Sequence, residues 1–468
     1  MKRSVISIGI LLLLLPSLAA QQYYSVRKQT RISTGGLDEA AAVRYLDDEV
    51  VYITESTSVG ASSPTDDQGR RLFTMFLYKE STGQKRPFID ALVTQRHEGP
   101  ASFTSDFKTM VFSQQRPSAV NRDYDPLKLF FAENVDGQWT NIREFEHNDD
   151  YAWLFSPALS PDGTLLFFAA NFKGGYGGYD LYWCRRNGEG WTDPENLGPG
   201  VNSEGNELYP FYHSSGRLCF SSDGHDGGLS GYDLFETSLV DGKWANAIKL
   251  MPPFNSLSDD YHAWFSEDLK SGFLTSNRGS STKEIFEFYT DIPVMDQAAP
   301  IKKTYYTYKI YDRNLDTVDN TLFRYSWVIN DTLEIPGHEI IYHFPGPGTY
   351  VCKLKVFDIQ LDTLVEGTTV KTLNIRLNEQ AVINCPDTLR VNAPAQFDGS
   401  ASYLPGFDIG RYVWDFGDGK FGEGIEVEHA YYYPGRYRVI LGVVERKRNR
   451  RHQPEVKANF RDIVVLPE

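Results

Sequence analysis

The sequence predicts an all-β protein, with an N-terminal array of repeated sheets followed by two β-sandwiches. Aromatic residues are 14% of the 468 positions, with 28 Tyr, 29 Phe and 39 Gly, a balance that suits strands joined by tight turns. No long segment keeps a helical apolar period. A unit recurs in the N-terminal half every 52 residues or so, roughly the period of a propeller blade. The length itself suggests about three domains.

Residues 1–20 read as a secretory signal peptide. Lys2 and Arg3 carry the charge, residues 6–15 form an almost unbroken apolar run, and Pro16-Ser17-Leu18-Ala19-Ala20 ends in small residues, with cleavage expected after Ala19 or Ala20. A membrane anchor is the other reading, for which the apolar run is short. No Cys follows that run, so nothing suggests lipidation. The mature chain is expected to be exported and soluble, with no transmembrane segment once the signal is removed. The full sequence has a net charge of −15, more negative still without Lys2 and Arg3, which argues against nucleic acid as a partner, since phosphates need a basic face.

The repeat is clearest between residues 160 and 246. Ser160-Pro161-Asp162-Gly163 and Ser214-Ser215-Gly216 are turns, each followed by a strand. Gly178-Tyr179-Asp180-Leu181-Tyr182 matches Gly231-Tyr232-Asp233-Leu234-Phe235, and Gly190-Trp191 matches Lys243-Trp244. Looser copies start at Glu39 and Glu98, and a fifth starts at Asp260 but ends near Pro293 without its Trp strand. A truncated last unit needs a strand from elsewhere, because an open edge invites aggregation. Residues 23–32 are placed to supply it. The array is therefore read as a β-propeller of five blades, six being the alternative, spanning residues 21–293 with its closing strand.

These motifs resemble the TolB-like, WD40-type propeller repeats of Gram-negative envelope proteins. The resemblance implies a periplasmic binding platform; some such proteins belong to type IX secretion machinery. Many relatives end in an OmpA-like domain, which this chain lacks, so peptidoglycan anchoring is not implied.

Residues 294–303 read as a linker, with Ala298-Ala299-Pro300. In residues 379–468, Trp414 and Phe416 alternate with polar residues on a strand, Gly417-Asp418-Gly419 makes a turn that tolerates positive φ, and Pro434-Gly435 makes another before Tyr437-x-Val439-x-Leu441. Trp414-Asp415-Phe416-Gly417-Asp418-Gly419 with His429-Ala430-Tyr431 resembles a PKD domain, which implies an immunoglobulin-like sandwich. Residues 304–378 carry a degenerate copy. Trp327 marks its Trp strand, Asn330-Asp331 replaces the glycine turn, His343-Phe344 takes the His position, and Pro347-Gly348-Thr349-Tyr350 the last turn. In relatives such modules act as spacers or contact surfaces.

Four cysteines are present. Cys219 and Cys352 stand in apolar strand columns and read as core residues; for Cys184 and Cys385 a disulfide stays open. No Cys-x-x-Cys pair or His cluster suggests a metal, and no cofactor is expected.

An acidic column is the first candidate site. Glu39, Glu98, Glu207 and Asp260 lie three residues before Ala42, Ala101, Pro210 and Ala263, which are taken to open the inner strands; the third repeat has Leu154 there. Either the carboxylates ring a channel mouth and bind a cation or a cationic loop, or they accept backbone hydrogen bonds between blades. The glycine runs at 174–178 and 227–231 suit loop geometry better than calcium binding, with Asp180 and Asp233 bonded to nearby backbone. Tyr151, Trp153, Tyr261 and Trp264 follow acidic pairs and suit a sugar or peptide surface if exposed, or interblade packing if buried. The basic run Arg446, Lys447, Arg448, Arg450 and Arg451 reads as a solvated hairpin loop, or as a contact for lipid phosphate or an acidic partner.

His97, His213, His225 and His262 stand near the expected channel, yet no spacing singles out an acid/base pair. No Gly-x-Ser-x-Gly elbow or Walker loop occurs. The expected function is a non-catalytic envelope scaffold that binds proteins or cell-surface glycan. A secreted carbohydrate-binding or adhesion protein is the alternative, and a propeller glycosidase stands further back.

Overall fold

A computed structural model describes residues 23–33, 38–55, 71–89, 96–116, 125–225, 231–313, 319–365, 369–449 and 452–467. The expected signal peptide, most of the glycine run at 227–231, Arg450 and Arg451 lie outside the described residues. The chain divides into two compact units at Ile292 and Pro293. Among the described residues every regular element is a strand.

The first unit forms five antiparallel sheets among the described residues. Their inner strands are Glu39–Leu46, Glu98–Phe103, Leu154–Leu159, Glu207–Tyr212 and Asp260–Phe265. Each inner strand packs on the next, and the fifth packs back on the first, so the array is a closed β-propeller. The register of every inner strand breaks at mid-length, as between Leu208 and Phe211. Such bulges bend a strand and raise its twist. Ala41, Ser156 and Tyr209 take positive φ there.

Two sequence signatures have a physical account. In the turn after the inner strand, the hydroxyls of Thr104, Ser160 and Ser266 donate to Asp106, Asp162 and Asp268 at 2.6–2.7 Å. Each carboxylate also accepts the amide two residues on, at 3.0 Å. That is a side-chain-capped turn. Tryptophans of the outer strands fasten their sheets to the preceding ones. Trp191 stacks on Phe131 at 5.7 Å, and Trp244 meets Phe167 and Trp183 at 5.5 and 5.3 Å.

The fifth sheet takes its outermost strand from the start of the unit. Tyr24–Lys28 pairs antiparallel with Glu284–Thr290 in continuous register. Lys28 reaches the buried Glu284 at 2.5 Å, and the buried Tyr24 packs on Phe254 and Phe288.

The second unit holds two sandwiches. In the last one, a sheet of Phe421–Glu423, Ile409–Asp415, Gly435–Glu445 and Val456–Leu466 faces the pair Ala395–Asp398 and Glu426–His429. Trp414 and Phe416 are buried and parallel, and Trp414 Nε1 donates to Gly424 O at 2.8 Å. The earlier module repeats this plan. Phe323–Ile329 pairs with Leu333–Pro336 and Gly348–Asp358, and Thr307–Tyr311 pairs with Glu339–His343. Trp327 Nε1 donates to His338 O at 3.0 Å, and Asn330 and Asp331 both take positive φ.

One assignment shifts by a residue. Tyr350 packs on the buried Phe344 at 4.5 Å as Tyr437 packs on Tyr431 at 4.4 Å. The counterpart of His429 is therefore Tyr342, not His343, which is exposed. Residues 294–303 are also more than a tether, because Ala299–Pro300 pairs in parallel with Asn459 and Phe460. All four cysteines are free thiols, with Cys184, Cys219 and Cys352 buried.

Because Tyr24 completes the fifth sheet, Tyr24→Ala is expected to cost about 3 kcal/mol in urea unfolding, the usual penalty for truncating a buried aromatic. Removing residues 21–28 is expected to produce aggregation, read by sedimentation.

Candidate functional site

The acidic column is the natural starting point, and the structure puts it inside the propeller. Glu39, Glu98, Glu207 and Asp260 are themselves the first residues of the inner strands. The residues three places on, which the sequence suggested as strand openers, lie within the strands instead, at or beside the bulge. All four acids are buried. Glu207 accepts hydrogen bonds from Ser203 N, Ser203 Oγ and Ser222 Oγ at 2.9, 2.5 and 2.6 Å. Asp260 accepts from Ser256 N and Oγ at 2.7 and 2.9 Å and pairs with Arg278 at 2.5 Å. Arg278 in turn donates to the carbonyls of Pro253 and Phe254. Glu207 and Asp260 thus tie the loop arriving from one sheet to the start of the next. Burial raises the Glu207 carboxyl above the usual range, against the pull of its bonds to Ser203 and Ser222.

A second device accompanies the first. Asn148, Asn202 and Asn255 each accept a backbone N–H and donate to the C=O of one residue, Leu129, Leu181 and Leu234 respectively, at 2.7–3.0 Å. The reading from sequence missed these residues. The signal was there: Asn202-Ser203 precedes Glu207 by the same interval that separates Asn255-Ser256 from Asp260.

At the same end of the sheets the loops are laced together. Asn206 N and Nδ2 donate to Asp223 at 2.6 and 3.0 Å, while in the next repeat Asp259 accepts from Asn277 Nδ2 at 3.0 Å and donates its N–H to Asn277 Oδ1 at 2.9 Å. Gly178 N donates to Gly205 O at 2.7 Å. A side chain on Gly177 would sit 2.2 Å from that oxygen, so the glycine run serves close backbone approach. Asp180 accepts the amides of Tyr176 and Gly177, whereas Asp233 pairs with Lys249 at 2.7 Å.

The propeller axis is nearly filled. A cavity of about 20 Å³ lies there, lined from all five inner strands by residues including Ala41, Ala101, Ser156, Tyr209 and His262. That is room for about one water. Burial pushes His262 down to about 3. Among the described residues no group of His, Cys, Asp and Glu is placed to hold a metal ion.

Of the aromatics, Tyr151 is 71% exposed. Trp153 is half-buried, its amide bonded to Asn171 Oδ1 at 2.7 Å. Trp264 is half-buried against Phe273 and Phe211. Tyr261 donates to Asp259 and packs on Tyr232. Tyr176, which sequence reasoning did not single out, is 50% exposed on the neighbouring loop, and Leu257 stands fully in solvent. In the basic run, Arg446 pairs with Asp408 and Arg448 with Glu445, both at 3.2 Å, and Lys447 is exposed. Such exposed pairs contribute little to stability.

With this geometry the chain is a β-propeller joined to a PKD domain. Residues 378–457 match the PKD domain family. Collagenase ColA of Clostridium perfringens is 25% identical over 138 residues, 30% of this chain and 12% of that protein. Among solved structures, TolB from Acinetobacter baumannii is 11% identical with a TM-score of 0.31, covering 75% of this chain and 82% of that one. An oligogalacturonate lyase in complex with manganese is 15% identical with a TM-score of 0.31, over 54% and 67%. The chain spans about an eighth of the collagenase it matches, and the fold assignment rests on the sheets themselves.

If the acids are architectural, their substitution changes stability. Asp260→Asn leaves Arg278 without its buried counter-charge and is expected to cost about 3 kcal/mol. Glu207→Gln keeps one acceptor oxygen and leaves no buried charge unpaired, so it is expected to cost less, about 1 kcal/mol. Urea unfolding of both variants checks this.

His262 makes a pH prediction. Its folded value lies below the unfolded one, so its contribution is present above pH 6.5 and lost as pH falls toward 3. In that window the unfolded chain binds one more proton, a slope of about 1.4 kcal/mol per pH unit. His262→Gln should flatten the stability profile there relative to wild type.

Proposed function

We propose that this chain is a non-catalytic scaffold of the cell envelope whose propeller binds a protein or glycan through its loop face. One observation carries the reading. Glu207 and Asp260 are committed to tying loops to the inner strands, and the axis keeps only about 20 Å³, too little for a substrate. Binding then falls to the loops that precede the inner strands, where Tyr151 and Leu257 are exposed, and to the hairpin between Leu165–Ala170 and Asp180–Asn187, where Tyr176 is exposed. Exposed tyrosines beside acidic residues suit contact with peptide or sugar. No residue is assigned a catalytic role.

Export to the periplasm or outer membrane, and service in a secretion or surface-assembly complex of the type IX kind, belong to this proposal through the repeat resemblance. Among the described residues no helix is long and apolar enough to cross a membrane. The PKD pair is assigned reach and a second contact surface.

The test is fractionation of cells carrying the Tyr151→Ala, Tyr176→Ala double variant. It should leave the envelope complexes that retain wild type, with an unchanged melting temperature. Unchanged co-fractionation would reject the loop face, and native protein found mainly in the medium would reject the envelope address.

A further inference from the structure

We infer that the strand Val370–Ile375 of the first sandwich is a docking edge, which takes up an extended strand of a partner polypeptide in parallel orientation. The site lies in the second unit and does not depend on the propeller's loop face.

Among the described residues Val370–Ile375 pairs on one side only, with Gly348–Asp358, in a register unbroken from Ile375 opposite Gly348 to Val370 opposite Lys353. The direction of its backbone groups follows from its neighbour. Val351 is turned away, accepting from Asn330 N and donating to Asn330 Oδ1, both at 2.8 Å. Leu354 N is turned toward it and donates to Thr369 O at 2.8 Å. Strand residues alternate in this respect, so Lys371, Leu373 and Ile375 bond inward. Val370, Thr372 and Asn374 direct N–H and C=O to the open side, and all three are exposed.

The last sandwich shows what belongs at such an edge. Its equivalent strand, Val456–Leu466, is covered twice, both times in parallel: Thr388–Arg390 lies opposite Val464–Leu466, and Ala299–Pro300 lies opposite Asn459 and Phe460. Ala299–Pro300 precedes Thr307–Tyr311 in the chain just as Thr388–Arg390 precedes Ala395–Asp398. The segment in position to cover the first sandwich's edge is thus donated to its neighbour. It is fastened there by Lys302 N to Gln380 Oε1 at 2.8 Å and Gln380 Nε2 to Lys302 O at 2.7 Å.

Natural edges are blunted by proline, bulges, breaks or outward charge. The outer propeller strands follow this rule: Gln84–Pro87 ends in Pro87, Gln138–Glu144 is bulged, and two others are split into short pieces. Val370–Ile375 has no proline and no bulge, and its Lys371 amine is turned to the Tyr311 carbonyl. The surrounding module is also the apolar one. Tyr305, Ile341, Leu361, Leu364 and Val370 are each more than half exposed, whereas the exposed hydrophobics of the last sandwich, Tyr403, Ile425 and Leu466, all fall below half.

The parallel sense selects the occupant. Two copies pairing edge to edge about a twofold axis run antiparallel, while both additions seen on the sister edge are parallel. The occupant is therefore a foreign segment with apolar side chains at alternate positions, as Leu389 and Val391 supply in the last sandwich. This is strand addition, with main-chain bonds giving affinity and side-chain pockets giving selectivity.

The probe is a synthetic peptide of residues 387–393, the sequence that fills the sister edge. With the mature protein, amide exchange over residues 370–375 should slow at least tenfold at saturating peptide. Thr372→Val should behave like wild type. Thr372→Pro removes one outward N–H without touching the inward ladder, and should weaken binding at least tenfold at an unchanged melting temperature. A peptide N-methylated at alternate residues should give no protection, an arm independent of any protein variant. No slowing at millimolar peptide, or equal protection by the N-methylated peptide, would overturn the proposal. So would protection that appears without peptide, rises with protein concentration and accompanies a dimer in sedimentation.

Discussion

The first unit depends on one pairing, that of Tyr24–Lys28 with Glu284–Thr290. Four sheets of the ring draw their strands from consecutive chain, but the sheet where the chain leaves the ring lacks its outermost strand unless the other end returns. Here the return is backed by the Lys28–Glu284 ion pair and by Tyr24 against Phe254 and Phe288. Partners separated by more than 250 residues make this a late and costly closure in chain entropy. The rest of the unit is local by comparison, with Trp191 and Trp244 stapling the third and fourth sheets to the ones before them, and Glu207 and Asp260 tying the fourth and fifth to the loops that arrive there.

That arrangement decides how polar groups are used. A buried carboxylate is costly unless it is bonded, and Glu207 and Asp260 spend their acceptor capacity on two serines and on a serine and an arginine. Glu207 and Asp260, two members of a column that reads as a ligand-binding ring by position, are each bonded to the loop that reaches their strand. What remains for recognition is the loop face of the propeller and the open edge of the first sandwich. One offers side chains and the other offers backbone.

Fold class was legible because it rests on short-range chemistry. The Ser-Pro-Asp-Gly turn and the Trp-Asp-Phe-Gly-Asp-Gly signature describe contacts within a few residues or one module, and the Trp strands recur at the repeat's own spacing, reaching only the sheet before. The misreadings involve longer reach. Ala299–Pro300 looked like a linker because nothing local marks a strand whose partner is Asn459. His343 looked like the equivalent of His429 by residue type, but the aromatic stacks put Tyr342 there. The acidic column is visible in the sequence, yet the partners of Glu207 and Asp260 include Ser222 at the end of the next strand and Arg278 in the turn beyond it. Trp264 was placed at a possible surface because an exposed and a packed tryptophan have the same local sequence.

The crossed bonding of Asn206 with Asp223 and of Asp259 with Asn277 has a consequence for how such repeats can be exchanged. In one joint the amide comes from the connecting loop and the acid from the neighbouring hairpin; in the next the roles are reversed. A shuffled gene that set the first loop against the second hairpin would face amide with amide, and the opposite graft would oppose two like charges. The copies are alike in outline but keyed to their own neighbours.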